Sequence, residues 1–349
     1  MSELGLAPQI ITFPESQRPI LLAVVDTEEE FDWSQPCSPG NTGVTAMRDL
    51  WRCQRIFESY GLCAMYAADY PVVSDDDGWR FLEEPLSKGT CEVGAHLHPW
   101  VTPPIAEDLI PRHTYPGNLP DTLERRKLET ITHLLERRMG HAPLAYKAGR
   151  YGLGPRTVQH LEQLGYRVDL SLAPAFDYSG DGGPDYERYD TAPQWAGPRS
   201  PILMLPTTGA FSGWWPGDKV RLNGVARSPR GERLRIPGVL ARLGALDRLR
   251  ISPEDFTLAE MKKVTGYLHA QGHRVFTLSF HSPSMAIGCT PYVQSDNQRE
   301  AFLKTIADYC EWFFASLNGV PMAVTEVLNL ADSLRPAALT GALAHSGGI

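Results

Sequence analysis

Apolar runs of strand length alternate with helical periodicities along most of this chain, and that alternation admits few folds. The run "LLAVV" at residues 21–25 has no polar interruption, as expected of a strand buried on both faces. A helix is expected at about 45–59, then a strand "LCAMYAADY", a short helix "WRFLEEPL" and a strand "CEVGAHLH" stopped by Pro99. From Asp121, with Glu124 three residues on as a capping pair, Leu123, Leu128, Ile131, Leu135 and Met139 recur at helical spacing up to Gly140. "LAYKAGRYG" reads as a strand and turn, "PRTVQHLEQLG" as a helix opening with Pro155, and "YRVDLSL" as the next strand. Residues 175–200 read as a long loop, and "PILMLPTTG" as a sixth strand. A helix at about 257–271, a strand "RVFTLSFHS", a long helix at about 295–317 and a last strand "PMAVTEV" complete the pattern.

Repeated strand–helix pairs imply a parallel sheet, and their number suits an α/β fold of the distorted (β/α) barrel kind, with about seven parallel strands. An open doubly wound sheet is the rival, but no Gly-rich phosphate fingerprint follows the first strand. The 349 residues divide into an N-terminal extension (1–19), a barrel (20–330) with an insertion at about 211–255, and a mobile tail (331–349).

A net charge of −8 disfavours general nucleic-acid binding. Against that background, residues 221–250 hold eight arginines and only Glu232 and Asp247 as acids, so this segment can present a cationic patch to phosphate or carboxylate, or a solvated basic face. Six cysteines are scattered with no CxxC pair, which argues against a zinc knuckle and suggests reduced thiols in the cytoplasm. The N-terminus lacks a basic start followed by an apolar core, and no apolar run is long enough to span a membrane.

In a parallel barrel the carboxyl ends of all strands lie on one face, so polar residues there converge even when distant in sequence. Here the first strand ends in Asp26-Thr27-Glu28, the third in His96-Leu97-His98, the fourth in Lys147 to Arg150, the fifth at Asp169, and the strand before the long final helix at His281. Residues two apart on a strand point to the same side, so His96 and His98 can face one ion, and Asp26 and Glu28 can point together. Two imidazoles and one carboxylate leave an open position for water, the usual arrangement of a catalytic divalent metal. A second carboxylate can serve as general base and a histidine from the opposite side as general acid. Glu29, Glu30 and Asp32 are read as solvent-facing, and Trp33, Trp100, Trp214 and Trp215 either as sugar-stacking surfaces or as packing.

The motifs "VDTEEEFDW", "EVGAHLHPW" and "AGRYG", followed late in the chain by Leu-Ser-x-His, resemble the polysaccharide deacetylases of the NodB-homology, carbohydrate esterase family 4 group, and most closely its WalW-like branch. The resemblance covers residues 20–330 and implies metal-dependent hydrolysis of an N-acetyl or O-acetyl group on a sugar, a sugar-phosphate or a lipid-linked precursor. It implies a divalent metal, Zn²⁺ first, with Co²⁺, Ni²⁺ or Fe²⁺ as alternatives. It makes Asp26 the general base, Glu28, His96 and His98 the ligands, and His281 the general acid supported by Asp169 or Asp177. Arg150 or Lys147 would steady the base, the Tyr151 amide would hold the oxyanion, and Trp100 would flank the substrate. The chain departs from the family pattern in three places. Its carboxylates are spaced by Thr27, so base and ligand can be exchanged; its histidines are two rather than four apart, so water or another side chain can replace one of them; and Lys147 stands at the usual arginine, which leaves the choice between Lys147 and Arg150 open. A hydrolase of a non-sugar amide and a non-catalytic glycan-binding barrel are the other readings.

Overall fold

The computed structural model describes residues 8–197 and 201–335; most of the expected tail lies outside them. In chain order the elements are β1 (Gln9–Ile10), β2 (Ile20–Thr27), α1 (Trp51–Ser59), β3 (Ala64–Ala68), α2 (Tyr70–Ser74), α3 (Asp76–Lys88), β4 (Cys91–Leu97) and α4 (Asp121–Met139). There follow β5 (Ala145–Ala148), α5 (Thr157–Leu164), β6 (Val168–Asp169), β7 (Gln194–Ala196), β8 (Ile202–Met204), β9 (Gly209–Ser212), α6 (Lys219–Ala226), α7 (Pro229–Arg233), α8 (Ile236–Arg242) and β10 (Asp247–Arg250). The chain then forms α9 (Leu258–Ala270), β11 (Val275–His281), α10 (Asp296–Ser316), β12 (Val320–Pro321) and α11 (Val324–Ser333).

Strands β8, β6, β5, β4, β3, β2 and β11 are hydrogen-bonded in that order, each parallel to its neighbour. These seven strands form the distorted barrel. Between β8 and β11 the ladder is replaced by a seam: Ile251 N–H donates to Thr208 O (3.0 Å) and Ser279 N–H donates to Ile251 O (3.1 Å). The antiparallel pair β9–β10 leads into this seam and carries α6, α7 and α8 between its strands. Residues 9–10, within the expected extension, add β1 to the far edge, antiparallel to β7.

Strand alternation sorts the barrel into two environments. Leu21, Ala23 and Val25 pack outward with Tyr66, Tyr146 and Phe276 beneath the helices, while Ile20, Leu22 and Val24 face the interior with Met65, Ala145, Val168, Leu203 and Val275. The interior column therefore begins apolar. Continuing the same parity upward places Asp26, His96, Lys147 and His281 above that apolar floor.

Two local expectations give way to tertiary contacts. "PMAVTEV" does not end as a strand: after the two residues of β12 it turns into α11. The helix starts where the Glu92 carboxylate accepts the amides of Val324 and Thr325, and Val324, Val327, Leu328 and Ala331 recur at helical spacing against the barrel interior. Asp121 and Glu124 do not form a capping pair. Asp121 instead binds Arg156 and His160, and Glu124 is buried where it accepts the Thr157 hydroxyl. Among the described residues no helix is long and apolar enough to cross a membrane.

Candidate metal and catalytic site

Strand β4 supplies both imidazoles, and each is oriented through its Nδ1. His96 Nδ1 lies 3.0 Å from Lys147 O, and His98 Nδ1 lies 2.8 Å from Glu29 Oε2. An Nδ1–H donated in each case leaves both Nε2 lone pairs free, which is how outer partners set a ligating tautomer. Burial holds His98 down to about 4 and lowers His96 as well, so both rings are neutral near pH 7, as metal ligation requires. Glu29 also accepts Trp100 Nε1–H at 2.7 Å, and the Trp100 ring stacks on His98 at 4.2 Å. Lys127, from α4, ties down the turn after the strand by donating to Pro99 O (2.8 Å) and Thr102 O (2.6 Å).

The two Nε2 atoms are 3.2 Å apart, and each lies 3.4 Å from Glu28 Oε2. Tetrahedral ligands about 2.0–2.1 Å from zinc stand about 3.3–3.4 Å from one another. The triangle thus has the dimensions of one face of a tetrahedral site. Two buried lone pairs pointed at each other at this distance repel unless a proton or a cation lies between them, and Glu28 Oε1 is a buried oxygen with no hydrogen-bond partner. Burial raises Glu28 to about 7 despite the nearby histidines, a desolvation penalty that a bound cation relieves. These residues fit a divalent ion. Glu29, Asp69 and His98 form a second cluster, but the His98–Glu29 hydrogen bond and the Glu29 N–H donated to Asp69 Oδ2 (3.0 Å) account for it as support of the first.

Asp26 sits beside this triangle with different partners. Its carboxylate accepts a hydrogen bond from buried Lys147, and its other oxygen lies 3.7 Å from His281 Nε2. Burial pushes the Asp26 pKa upward, yet Lys147, His96 and His281 together outweigh it and leave it lowered. His281 is held from behind by Glu254, which accepts its main-chain amide at 3.1 Å and faces Nδ1 at 2.7 Å. Although burial opposes the imidazolium, Glu254, Glu28 and Asp26 raise His281 to about 10. An ionised carboxylate and a protonated imidazole therefore stand side by side at the ends of adjacent strands, with Asp26 and His281 in direct register.

Of the residues singled out in the sequence, Asp26, Glu28, His96, His98, Lys147 and His281 come together here. Asp169 does not reach His281. It pairs with Tyr146 on the outward face of the sheet and accepts from Ser171 at 2.9 and 2.7 Å, because its strand parity is opposite to that of Lys147. Asp177 bonds the amide of Ser179 at 2.8 Å. Glu254, missed in the sequence, is the carboxylate on His281. Trp100 is only 1 % exposed and buttresses His98, so it presents no face to a sugar. Glu29 is fully buried rather than solvent-facing.

Arg150 and Tyr151 both have left-handed backbone, φ 53° and 58°, which costs roughly 1–3 kcal/mol per residue and needs strong local contacts. Arg150 does not touch Asp26. It turns away to Thr114 and Asp181 and stacks over Tyr115 at 4.4 Å. Tyr151 is fixed through its carbonyl, which accepts the Tyr186 hydroxyl at 2.6 Å. Gly149, just before them, lies so close to His98 that a Cβ there would fall 2.3 Å from the imidazole Cδ2 and 2.4 Å from Leu97 O.

Above the polar cluster opens a cavity of about 720 Å³, within the usual range for ligand pockets. Asp26, Glu28 and His281 form part of its floor, with Trp33, Phe176 and Tyr178 among its walls. Trp33 meets His281 edge-on at 5.1 Å.

No family model and no curated protein sequence matches the chain. Solved structures do. A Mycobacterium smegmatis protein assigned as a polysaccharide deacetylase superposes with a TM-score of 0.53 at 12% identity, over 94% of this chain and 95% of its own. The PuuE allantoinase gives 0.54 at 15% identity, covering 93% of both chains. A Pseudomonas aeruginosa PAO1 protein, also assigned as a polysaccharide deacetylase, gives 0.54 at 15% identity over 91% and 92%. Identities this low speak to fold alone, and the fold is that of the NodB-homology, carbohydrate esterase family 4 barrel.

Proposed function

We propose that this protein is a metal-dependent deacetylase that hydrolyses an N-acetyl or O-acetyl group on a sugar, with Zn²⁺ as the ion and with the WalW-like branch as its nearest kin. The observation that carries this reading is the Glu28–His96–His98 triangle, with its edges of 3.2–3.4 Å, standing beside a separate acid–base pair. When bound, the ion supplies Lewis acidity to water and to the acyl carbonyl.

The chain's own residues divide the proton work. Asp26, kept ionised by Lys147, takes the proton of the attacking water. His281, kept protonated by Glu254, donates to the departing nitrogen or oxygen. Glu28 is assigned as ligand rather than base because it alone of the two carboxylates faces both Nε2 atoms. The Tyr151 amide holds the developing oxyanion, and Trp33, 37 % exposed at the cavity wall, flanks the sugar in place of Trp100.

The presence of an allantoinase among the similar folds favours a second reading, hydrolysis of a non-sugar C–N bond. Acetate release from a panel of N-acetylhexosamines, set against release of the new amine or carboxylate from small linear and cyclic amides, with and without added Zn²⁺ or Co²⁺, separates the two. Release from sugars that depends on metal is expected. Release from amides alone favours the second reading. Absence of both turnover and bound metal leaves a non-catalytic barrel.

A further inference from the structure

The cavity has a second chemical character away from the metal-binding triangle. Arg248 and Arg250 are two apart on β10, point to the same side, and line the cavity together with Arg227 from the end of α6. The Phe176 ring lies 4.6 Å from the Arg248 guanidinium and 3.8 Å from that of Arg250. Arg250 donates to the hydroxyls of Tyr151 (3.1 Å) and Tyr178 (2.8 Å), and its Nε is buried with no hydrogen-bond partner.

Among the described residues no carboxylate lies within ion-pair distance of Arg248 or Arg250. The chain does not lack acids, having 41 Asp and Glu against 33 Lys and Arg. Of the acids that line the cavity, Asp181 pairs with Arg150, Glu254 with His281 and Asp26 with Lys147, Glu28 faces His96 and His98, and Asp255 accepts the Tyr292 hydroxyl. Burial, with the charges of Arg227 and Arg250, holds Arg248 below the usual guanidinium range although Glu187 opposes the shift; Arg227 pairs with Glu232 at 3.6 Å, so Arg248 and Arg250 are the crowded cations with no ion-pair partner among the described residues. Two guanidinium forks with free N–H groups match the planar oxygens of a carboxylate or the oxygens of a phosphate.

We propose that Arg248, Arg250 and Arg227 form an oxyanion subsite that binds a phosphate or carboxylate group carried by the substrate, whose hydrolysed group lies over Asp26 and Glu28. Tyr151 links the two ends: its ring has Lys147 Nζ at 5.0 Å and the Arg250 guanidinium at 4.9 Å. Only the identity of the hydrolysed group rests on the deacetylase reading; the anion subsite stands on the arginines.

Calorimetric titration tests this with N-acetylglucosamine 1-phosphate, glucuronic acid, inorganic phosphate and uncharged N-acetylglucosamine. The wild-type protein is expected to bind at least one charged sugar about tenfold or more tighter than the neutral one, the order of one charge-assisted hydrogen bond. The preference should shrink by a similar factor in Arg248→Gln and Arg250→Gln and should weaken with salt. Phosphate and glucuronic acid show which oxyanion is preferred. The Arg250 guanidinium donates to two tyrosine hydroxyls, whereas that of Arg248 stacks on Phe176, so Arg248→Gln keeps the test decisive if the other variant folds poorly. Equal affinity for charged and neutral sugars, or a preference unchanged in Arg248→Gln, overturns the subsite. Arginine-dependent anion binding with no acetate release from any sugar would instead overturn the deacetylase reading and leave the subsite standing.

Discussion

Glu254 grips His281 twice, through the main-chain amide at 3.1 Å and through Nδ1 at 2.7 Å, while the same carboxylate accepts the Ser284 hydroxyl at 2.6 Å. Against the effect of burial, this contact together with Glu28 and Asp26 raises His281 to about 10 from an ordinary 6.5. A histidine with a raised folded pKa contributes stability that is complete below about 6.5 and is lost as pH rises through about 10. In Glu254→Gln the alkaline limb of kcat/KM should move down toward the ordinary imidazole range. Urea unfolding should show a larger stability loss at pH 6 than at pH 10.

Removing any corner of the Glu28–His96–His98 triangle, by Glu28→Ala, His96→Ala or His98→Ala, is expected to abolish stoichiometric metal in the purified protein, read by elemental analysis. Glu29→Gln removes no ligand but weakens the partner of His98 Nδ1. Its zinc affinity should fall by about 10–100-fold, the usual cost of losing an outer-shell carboxylate.

Asp26→Asn should lower kcat by about 10²–10⁴-fold, the span of general acid–base contributions. It also strands the buried Lys147 charge, which costs about 3–5 kcal/mol by the precedent of broken buried pairs. The double variant Asp26→Asn, Lys147→Met should recover much of the stability and none of the activity, measured by denaturant titration and acetate release.

Glu124 provides a pH test far from the Glu28–His96–His98 triangle. Burial raises its pKa from 4.5 to about 7, so the stability tied to its protonated form is full below about 4.5 and lost as pH rises through about 7. That shift corresponds to about 3 kcal/mol. Glu124→Gln, which needs no ionisation, should gain on the wild type by up to this amount between pH 5 and pH 8 in urea unfolding.

The polar ends of β2, β4, β5 and β11 were legible in the sequence because strand periodicity is two and parallel strands present their carboxyl ends together. Lys147 and Asp169 show both the strength and the failure of that reading. Each ends a strand, but Asp169 has the parity of Tyr146 and faces outward. Glu254 escaped notice because β10 was hidden inside an arginine-rich insertion; once β10 is recognised, Glu254 is one more acid just beyond a strand end. Glu29 was missed for another reason. It follows the end of β2, where the backbone leaves strand geometry and an out-of-phase carboxylate can reach His98. α11 was misread because Val324, Thr325 and Val327 favour strands, while the Glu92 carboxylate that starts the helix is 232 residues away from Val324.

The seam of the barrel ties the lining of the cavity to the integrity of the fold. Ile251, which bridges Thr208 to Ser279, directly follows Arg250 at the end of β10, so one short stretch of chain both closes the cylinder and carries two of the cavity's cations. Helices α6, α7 and α8 lie between β9 and β10, with Val220, Leu222 and Leu240 packed on Phe211 and Leu246, and make none of the seam's hydrogen bonds described above. A transplant of these cavity arginines onto another barrel would have to carry the seam with them, because the residue that follows them in the chain is the one that bridges it.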